Sequence, residues 1–178
     1  MDQIVTVIDN FFDNPDEIRD YALNLEYRSP NNEGWLGYRC FTVDKNLSKT
    51  ITEKIHKVIP ESNHIDPFYY CFHHSLESTK ETAPYNFDEY KIHPDFCDYA
   101  GLVYLTPNPP VNTGTSFYDK NRNFLSSVEN VFNRMIFYNA RNMHGPTDLF
   151  GNTKENSRMT LTFFSDMPPN PNTRFLAS

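Results

Sequence analysis

Basic residues are in the minority: Lys plus Arg total 16 against 23 Asp plus Glu, a formal net charge of −7. A dedicated nucleic-acid binder carries a basic face that displaces counterions from phosphates, so no nucleic-acid partner is expected. A local basic groove remains compatible with the same total. Long hydrophobic runs are missing as well. The stretch Ala100-Gly101-Leu102-Val103-Tyr104-Leu105 is among the longest and is far too short to cross a bilayer. The opening Met-Asp-Gln-Ile has neither the basic start nor the apolar stretch of a signal peptide. Cysteine is sparse too, and Cys40, Cys71 and Cys97 make no paired framework, which fits a reducing compartment. The expectation is a cytoplasmic protein without a membrane partner. Its oligomeric state is not readable from the sequence.

Glycine is limited to 6 residues, whereas aromatics make up 15% of the chain, with 11 Tyr and 15 Phe. With many short alternating segments, that balance favours a β-rich core over a helical bundle. A length of 178 residues suits one domain with a sizeable core. A short strand is expected at Ile4 to Ile8. Asn14 then reads as a helix N-cap, with Pro15 at the first helical position and Glu17 in the first turn. Ile18, Ala22 and Leu25 give that helix a buried stripe. Ile51, Ile55 and Val58 predict a second helix, closed by Pro60.

The helical signal ends near Pro67. Strands are predicted at Phe68–Ser75, Glu89–Asp95, Ala100–Thr106, Thr115–Tyr118, Val131–Asn139 and Arg158–Ser165, separated by clusters such as Gly145-Pro146-Thr147. There is no internal repeat and no dividing linker. The expected layout is a mostly helical support over 1–66, a β core over 67–166 and a tail over 167–178. The fold class is mainly β with flanking helices, a β-sandwich or jelly roll.

The chemistry begins with His93-Pro94-Asp95. Residues two apart on a strand share a face, so an imidazole and a carboxylate can converge on one cation. Alone, His-x-Asp is equally a solvated strand end. His144, in Asn142-Met143-His144-Gly145-Pro146, adds a second imidazole, though it also reads as a loop histidine before a Gly-Pro turn. Two histidines and a carboxylate form the facial triad that leaves open positions on Fe(II). In Arg158-Met159-Thr160-Leu161-Thr162-Phe163-Phe164, Arg158, Thr160 and Thr162 share one face, while Met159, Leu161 and Phe163 share the other. A polar face of that kind lines a cavity, where guanidinium and hydroxyls clamp a carboxylate. Of the neighbours His73 and His74, at most one reaches that cavity, and packing is the expected role. Cys97 would extend the His93 and Asp95 face if the strand continued, giving a zinc site as an alternative.

These motifs together resemble the 2-oxoglutarate- and Fe(II)-dependent oxygenases, especially the prolyl-4-hydroxylase-like branch. The resemblance runs from Val5-Thr6-Val7-Ile8-Asp9-Asn10-Phe11-Phe12 through Tyr90-x-x-His93-x-Asp95, Val103-Tyr104-Leu105, Gly114-Thr115-x-Phe117, His144 and Arg158-x-Thr160. It implies a double-stranded β-helix, cupin-like, in which His93, Asp95 and His144 bind Fe(II). It further implies that Arg158 pairs with the distal carboxylate of 2-oxoglutarate, with Tyr104, Thr162 and Tyr90 as further cosubstrate contacts. The implied activity consumes O2 and hydroxylates a small-molecule or peptidyl, amino-acid-like substrate. The alternatives are a non-catalytic jelly-roll binding module and a cupin-like metal protein without 2-oxoglutarate chemistry. Two departures stand out. The family's Gly-Gly-Thr is Thr113-Gly114-Thr115 here, and the loop 145–157 is long. Retention of Asp95 argues against halogenating relatives, in which a small residue frees a site for halide.

Overall fold

The computed structural model describes residues 5–29, 35–60, 62 and 68–165. Ile4 of the first predicted strand and the expected tail lie outside the described residues. Helix α1 runs Pro15–Leu23, with Pro15 at its start, but the Asn14 side chain makes no capping bond. Helix α2, Lys45–Val58, is capped instead by Asp44, whose Oδ1 accepts from the amides of Asn46 and Leu47 at 2.9 and 3.0 Å. These bonds satisfy amides that have no partner inside the helix.

Among the described residues nine strands form two sheets: β1 Val5–Ile8, β2 Tyr38–Cys40, β3 Tyr69–Ser75, β4 Tyr99–Tyr104, β5 Thr115–Tyr118, β6 Phe124–Val128, β7 Met135–Asn139, β8 Met143–Pro146 and β9 Arg158–Phe164. The larger sheet has the order β1-β7-β4-β9-β3-β2 and the smaller β6-β5-β8. All their pairings are antiparallel. The alternation read from the sequence sorts the larger sheet's faces. Val103, Met135, Phe137, Met159, Leu161 and Phe163 turn outward onto Ile51 and Ile55 of α2 and Ala22 of α1. Leu102, Tyr104, Ile136 and Tyr138 turn inward, toward Phe117 of the smaller sheet. Helices on one face and a second sheet over the other give a double-stranded β-helix. No helix among the described residues is long and apolar enough to cross a membrane.

Four local readings require correction. Residues 89–95 are not a strand. Asn86 accepts from the Asp88 amide at 2.9 Å and nucleates a one-turn helix α3, Phe87–Tyr90, after a 3-10 turn at Glu77–Thr82. The helical signal therefore does not end at Pro67. The strand predicted from Val131 begins at Met135, because Asn133 takes φ 64° and Arg134 closes a turn onto the Val131 carbonyl. Asn133 also exchanges two side-chain bonds with the Phe12 backbone, both 2.8 Å, tying the N-terminal segment to the sheet. Finally, β2, β6 and β8 carry no sequence alternation that marks them as strands.

Candidate metal centre

Gly145 and Pro146 of the Gly145-Pro146-Thr147 cluster, expected to break structure, form the end of β8, and this is what lets the site close. His93 and His144 exchange two backbone hydrogen bonds of 2.9 Å as an isolated antiparallel bridge. The neighbouring Gly145 lies so close to residue 91 that a Cβ would be 2.1 Å from the Lys91 carbonyl oxygen. Only glycine tolerates that approach. Lys91 pins the same loop, its Nζ donating to the Thr147 carbonyl at 2.9 Å and pairing with Asp88 at 2.8 Å. The Asp95 amide donates to the Ala140 carbonyl at 2.8 Å. A bridge and two anchors, rather than a strand, place His93 and Asp95.

Both imidazoles are oriented through Nδ1. His93 Nδ1 lies 2.9 Å from the Lys91 carbonyl oxygen and His144 Nδ1 2.8 Å from that of Asn142. Carbonyls only accept, so each Nδ1 carries the proton and each Nε2 presents a lone pair. His93 Nε2 is 3.8 Å from Asp95 Oδ1, and His144 Nε2 is 3.3 Å from Asp95 Oδ2. The three ligand atoms all lie within 4.8 Å of one another. Burial, and then the neighbouring His144, hold the His93 pKa below its ordinary value.

Asp95 Oδ2 is nevertheless buried without a hydrogen-bond partner. Lone pairs facing one point with no proton between them repel, and a cation among them removes the penalty. The residues therefore fit a metal, and two imidazoles with one carboxylate suit Fe(II). Among the described residues this is the one cluster of three or more such donors. Cys97 lies outside it: its thiol donates to the Tyr99 carbonyl, and burial pushes its pKa up to about 12. The zinc alternative that used Cys97 has no geometric basis.

The triad opens on a cavity of about 510 Å³ between the sheets, and Arg158, Thr160 and Thr162 line it as a row from β9. Arg158 is buried; its Nε donates to the Thr113 carbonyl at 3.1 Å, and its Nη2 to the Gly114 carbonyl and Thr115 Oγ1 at 3.1 and 3.2 Å. The backbone of Thr113-Gly114-Thr115 thus supplies the carbonyls that fix the guanidinium, whichever side chain stands at 113. Tyr104 is set behind the cavity wall. It is fully buried, its hydroxyl is 2.7 Å from Thr115 Oγ1, and the Arg158 guanidinium carbon lies 5.5 Å from its ring centroid. Tyr90 stands at the rim beside Tyr85.

Sequence reasoning missed Arg39, Thr115 and Tyr138, all on the cavity wall. Tyr138 packs edge-on against His144 with ring centroids 4.8 Å apart. Thr115 reads in the sequence only as the start of a strand and as part of the Gly114-Thr115-x-Phe117 motif, and nothing in the short strand Tyr38–Cys40 announces Arg39. His73 and His74 divide as strand alternation requires. His73 lines the cavity, while His74 stacks on Tyr38 at 4.8 Å and meets Tyr27 edge-on at 4.7 Å.

No protein-family model and no curated protein sequence matches the chain. Solved structures do. A Trichoplax adhaerens prolyl hydroxylase, in complex with a hypoxia inducible factor peptide fragment, superposes with TM-score 0.59 at 14% identity, over 92% of this chain and 83% of that one. HygX from Streptomyces hygroscopicus, with nickel, 2-oxoglutarate and hygromycin B bound, gives TM-score 0.61 at 13% identity, over 89% and 81%. A Pseudomonas putida prolyl-4-hydroxylase gives 0.53 at 11%, covering 92% of each chain. The fold is that of the prolyl hydroxylases and related 2-oxoglutarate-dependent oxygenases.

Proposed function

We propose that this protein is an Fe(II)- and 2-oxoglutarate-dependent dioxygenase that hydroxylates a small-molecule or peptidyl, amino-acid-like substrate. One observation carries the reading: two Nε2 lone pairs and an unpartnered carboxylate oxygen converge in a cavity whose wall also holds a buried arginine. The similarity to prolyl hydroxylases and to HygX, with nickel and 2-oxoglutarate bound, supports it.

His93, Asp95 and His144 hold the iron. When bound, Fe(II), 2-oxoglutarate and O2 supply the oxidation: the 2-oxo acid loses CO2 to give succinate, and one oxygen atom enters a substrate C–H bond. The chain's own groups provide geometry. Arg158 binds the distal carboxylate of 2-oxoglutarate, and its three hydrogen bonds fix the plane in which it does so. Tyr104 and Thr115 support that guanidinium from behind, Thr162 offers a hydroxyl on the same wall, and Tyr90 flanks the entrance. Tyr138 and Phe117 pack around His144 and limit water on that side of the triad.

Anaerobic addition of Fe(II) and 2-oxoglutarate tests this directly. The expected result is a visible metal-to-ligand charge-transfer band, followed by succinate on admission of O2. Folded protein that shows no band overturns the oxygenase reading and leaves a non-catalytic module or a metal protein without 2-oxoglutarate chemistry.

A further inference from the structure

The cavity carries more positive charge than the proposed chemistry uses. Among the described residues its wall holds Arg39, Arg122 and Arg158 but only one carboxylate, Asp95, in a chain of net charge −7. On the oxygenase reading, divalent iron offsets dianionic 2-oxoglutarate and Arg158 offsets Asp95. Burial keeps the His73 imidazole neutral. Arg39 and Arg122 remain. Arg122 is exposed at the β5–β6 turn, where its Nη1 donates to the Glu89 carbonyl at 2.8 Å.

Arg39 is different. It is half-buried, its Nε is closed off from water without a hydrogen-bond partner, and it joins no salt bridge among the described residues. Its guanidinium carbon lies 5.2 Å from the ring centroid of Trp35. Gly37, at φ +75°, lets this turn press onto β3: a Cβ there would meet Ser75 Oγ at 2.2 Å and His73 Nε2 at 2.6 Å. His73 Nε2 lies 2.6 Å from the Leu36 carbonyl oxygen and holds the turn down. The stacked arginine is therefore a positioned group.

Its place separates it from the cosubstrate anchor. Arg39 pairs with His73, and His73 with Thr160, in one row across the inner face; Arg158 belongs to the next row, opposite Ser75. Two strand spacings of about 4.8 Å each lie between β2 and β9. Arg39 lines the same cavity as the metal ligands His93 and Asp95.

We propose that Arg39, stacked on Trp35, recognises a carboxylate of the molecule being oxidised, so that the substrate is a small, singly charged anion. A guanidinium edge suits a planar carboxylate, and the aromatic ring fixes its orientation. The proposal rests on the oxygenase reading for the identity of the second ligand, but its test does not.

Trp35 is the sole tryptophan in the chain, so indole fluorescence reports this one location. The protein, with and without Fe(II) and 2-oxoglutarate and in the absence of O2, is titrated with N-acetyl-L-leucine, its uncharged amide and inorganic phosphate. The acid is expected to give a saturable change, with half-saturation at least about tenfold lower than for the amide, the worth of one charge-assisted contact. Arg39→Gln should raise the half-saturation for the acid by about tenfold or more, with Arg39→Lys intermediate, while 2-oxoglutarate affinity stays within about twofold. Equal responses to acid and amide, an unchanged Arg39→Gln, or tighter phosphate binding each overturn the carboxylate assignment. Loss of 2-oxoglutarate affinity in folded Arg39→Gln overturns it too, by making Arg39 part of the cosubstrate anchor. A missing charge-transfer band beside a normal acid response removes the oxygenase reading alone.

Discussion

Replacing Gly145 by alanine tests whether one backbone contact assembles the metal centre. The added Cβ would lie 2.1 Å from the Lys91 carbonyl oxygen, well inside contact distance and against backbone that cannot swing aside. The 91–93 segment must retreat, and three hydrogen bonds of 2.9 Å depend on its position: two between His93 and His144 and one from His93 Nδ1 to Lys91. At about 1 kcal/mol net each, their loss should cost about 2–3 kcal/mol, read as a lower midpoint in urea denaturation. Freeing His93 from its orienting carbonyl should also weaken Fe(II) binding about 10- to 100-fold, measured by anaerobic titration of the charge-transfer band. Gly145→Ala with stability within about 0.5 kcal/mol and iron affinity within about twofold of the parent would refute the idea that close approach at residue 145 builds the site.

Asp95→Asn should abolish iron binding yet stabilise the metal-free protein by about 1 kcal/mol, because an amide N–H can meet the His144 Nε2 lone pair now 3.3 Å from a carboxylate oxygen. A less stable metal-free variant in urea would contradict the lone-pair argument. Arg158→Ala should raise the half-saturating 2-oxoglutarate concentration at least about tenfold and lower stability by about 2–4 kcal/mol, since buried acceptors at Thr113, Gly114 and Thr115 lose their donor. Unchanged cosubstrate affinity would remove Arg158 from its role. His74 gives the pH dependence. Burial, and then Lys154, lower its pKa to about 4, so between the unfolded value of 6.5 and that value the unfolded chain holds the extra proton. Stability should be complete above pH 6.5 and fall by about 2 kcal/mol, discounted for solvent screening, as pH drops through the folded value. His74→Phe should flatten that part of the urea midpoint–pH curve; an unaltered slope would assign the proton elsewhere.

Much of the architecture was legible because it depends on period. Alternation in Arg158–Phe164 assigned the polar row and the apolar face, and both fall where they should. Ile51 and Ile55 marked the buried stripe of α2. What the sequence hid was decided by contacts between distant segments. His93 and Asp95 are expected on a strand, yet Asn86 starts a helical turn before them, a bridge to His144 sets His93, and the Ala140 carbonyl holds the Asp95 amide. Strand β8 contains a glycine and a proline, the residues that ordinarily signal a break, and exists because β5 and the His93 bridge flank it. β6 is mostly exposed and has no buried stripe to announce it.

The amino-acid order by itself therefore determined the donor set, the two-faced β9 strand and the type of fold, because ligand chemistry and side-chain periodicity are local properties. The tertiary structure decided the rest: which nitrogen of each histidine is free to bind, why Asp95 lacks a partner, that Tyr104 backs Arg158, and that Arg39 reaches the same cavity from the edge strand β2. Each depends on carbonyls, hydroxyls and strands brought together from remote parts of the chain, which no spacing along it encodes.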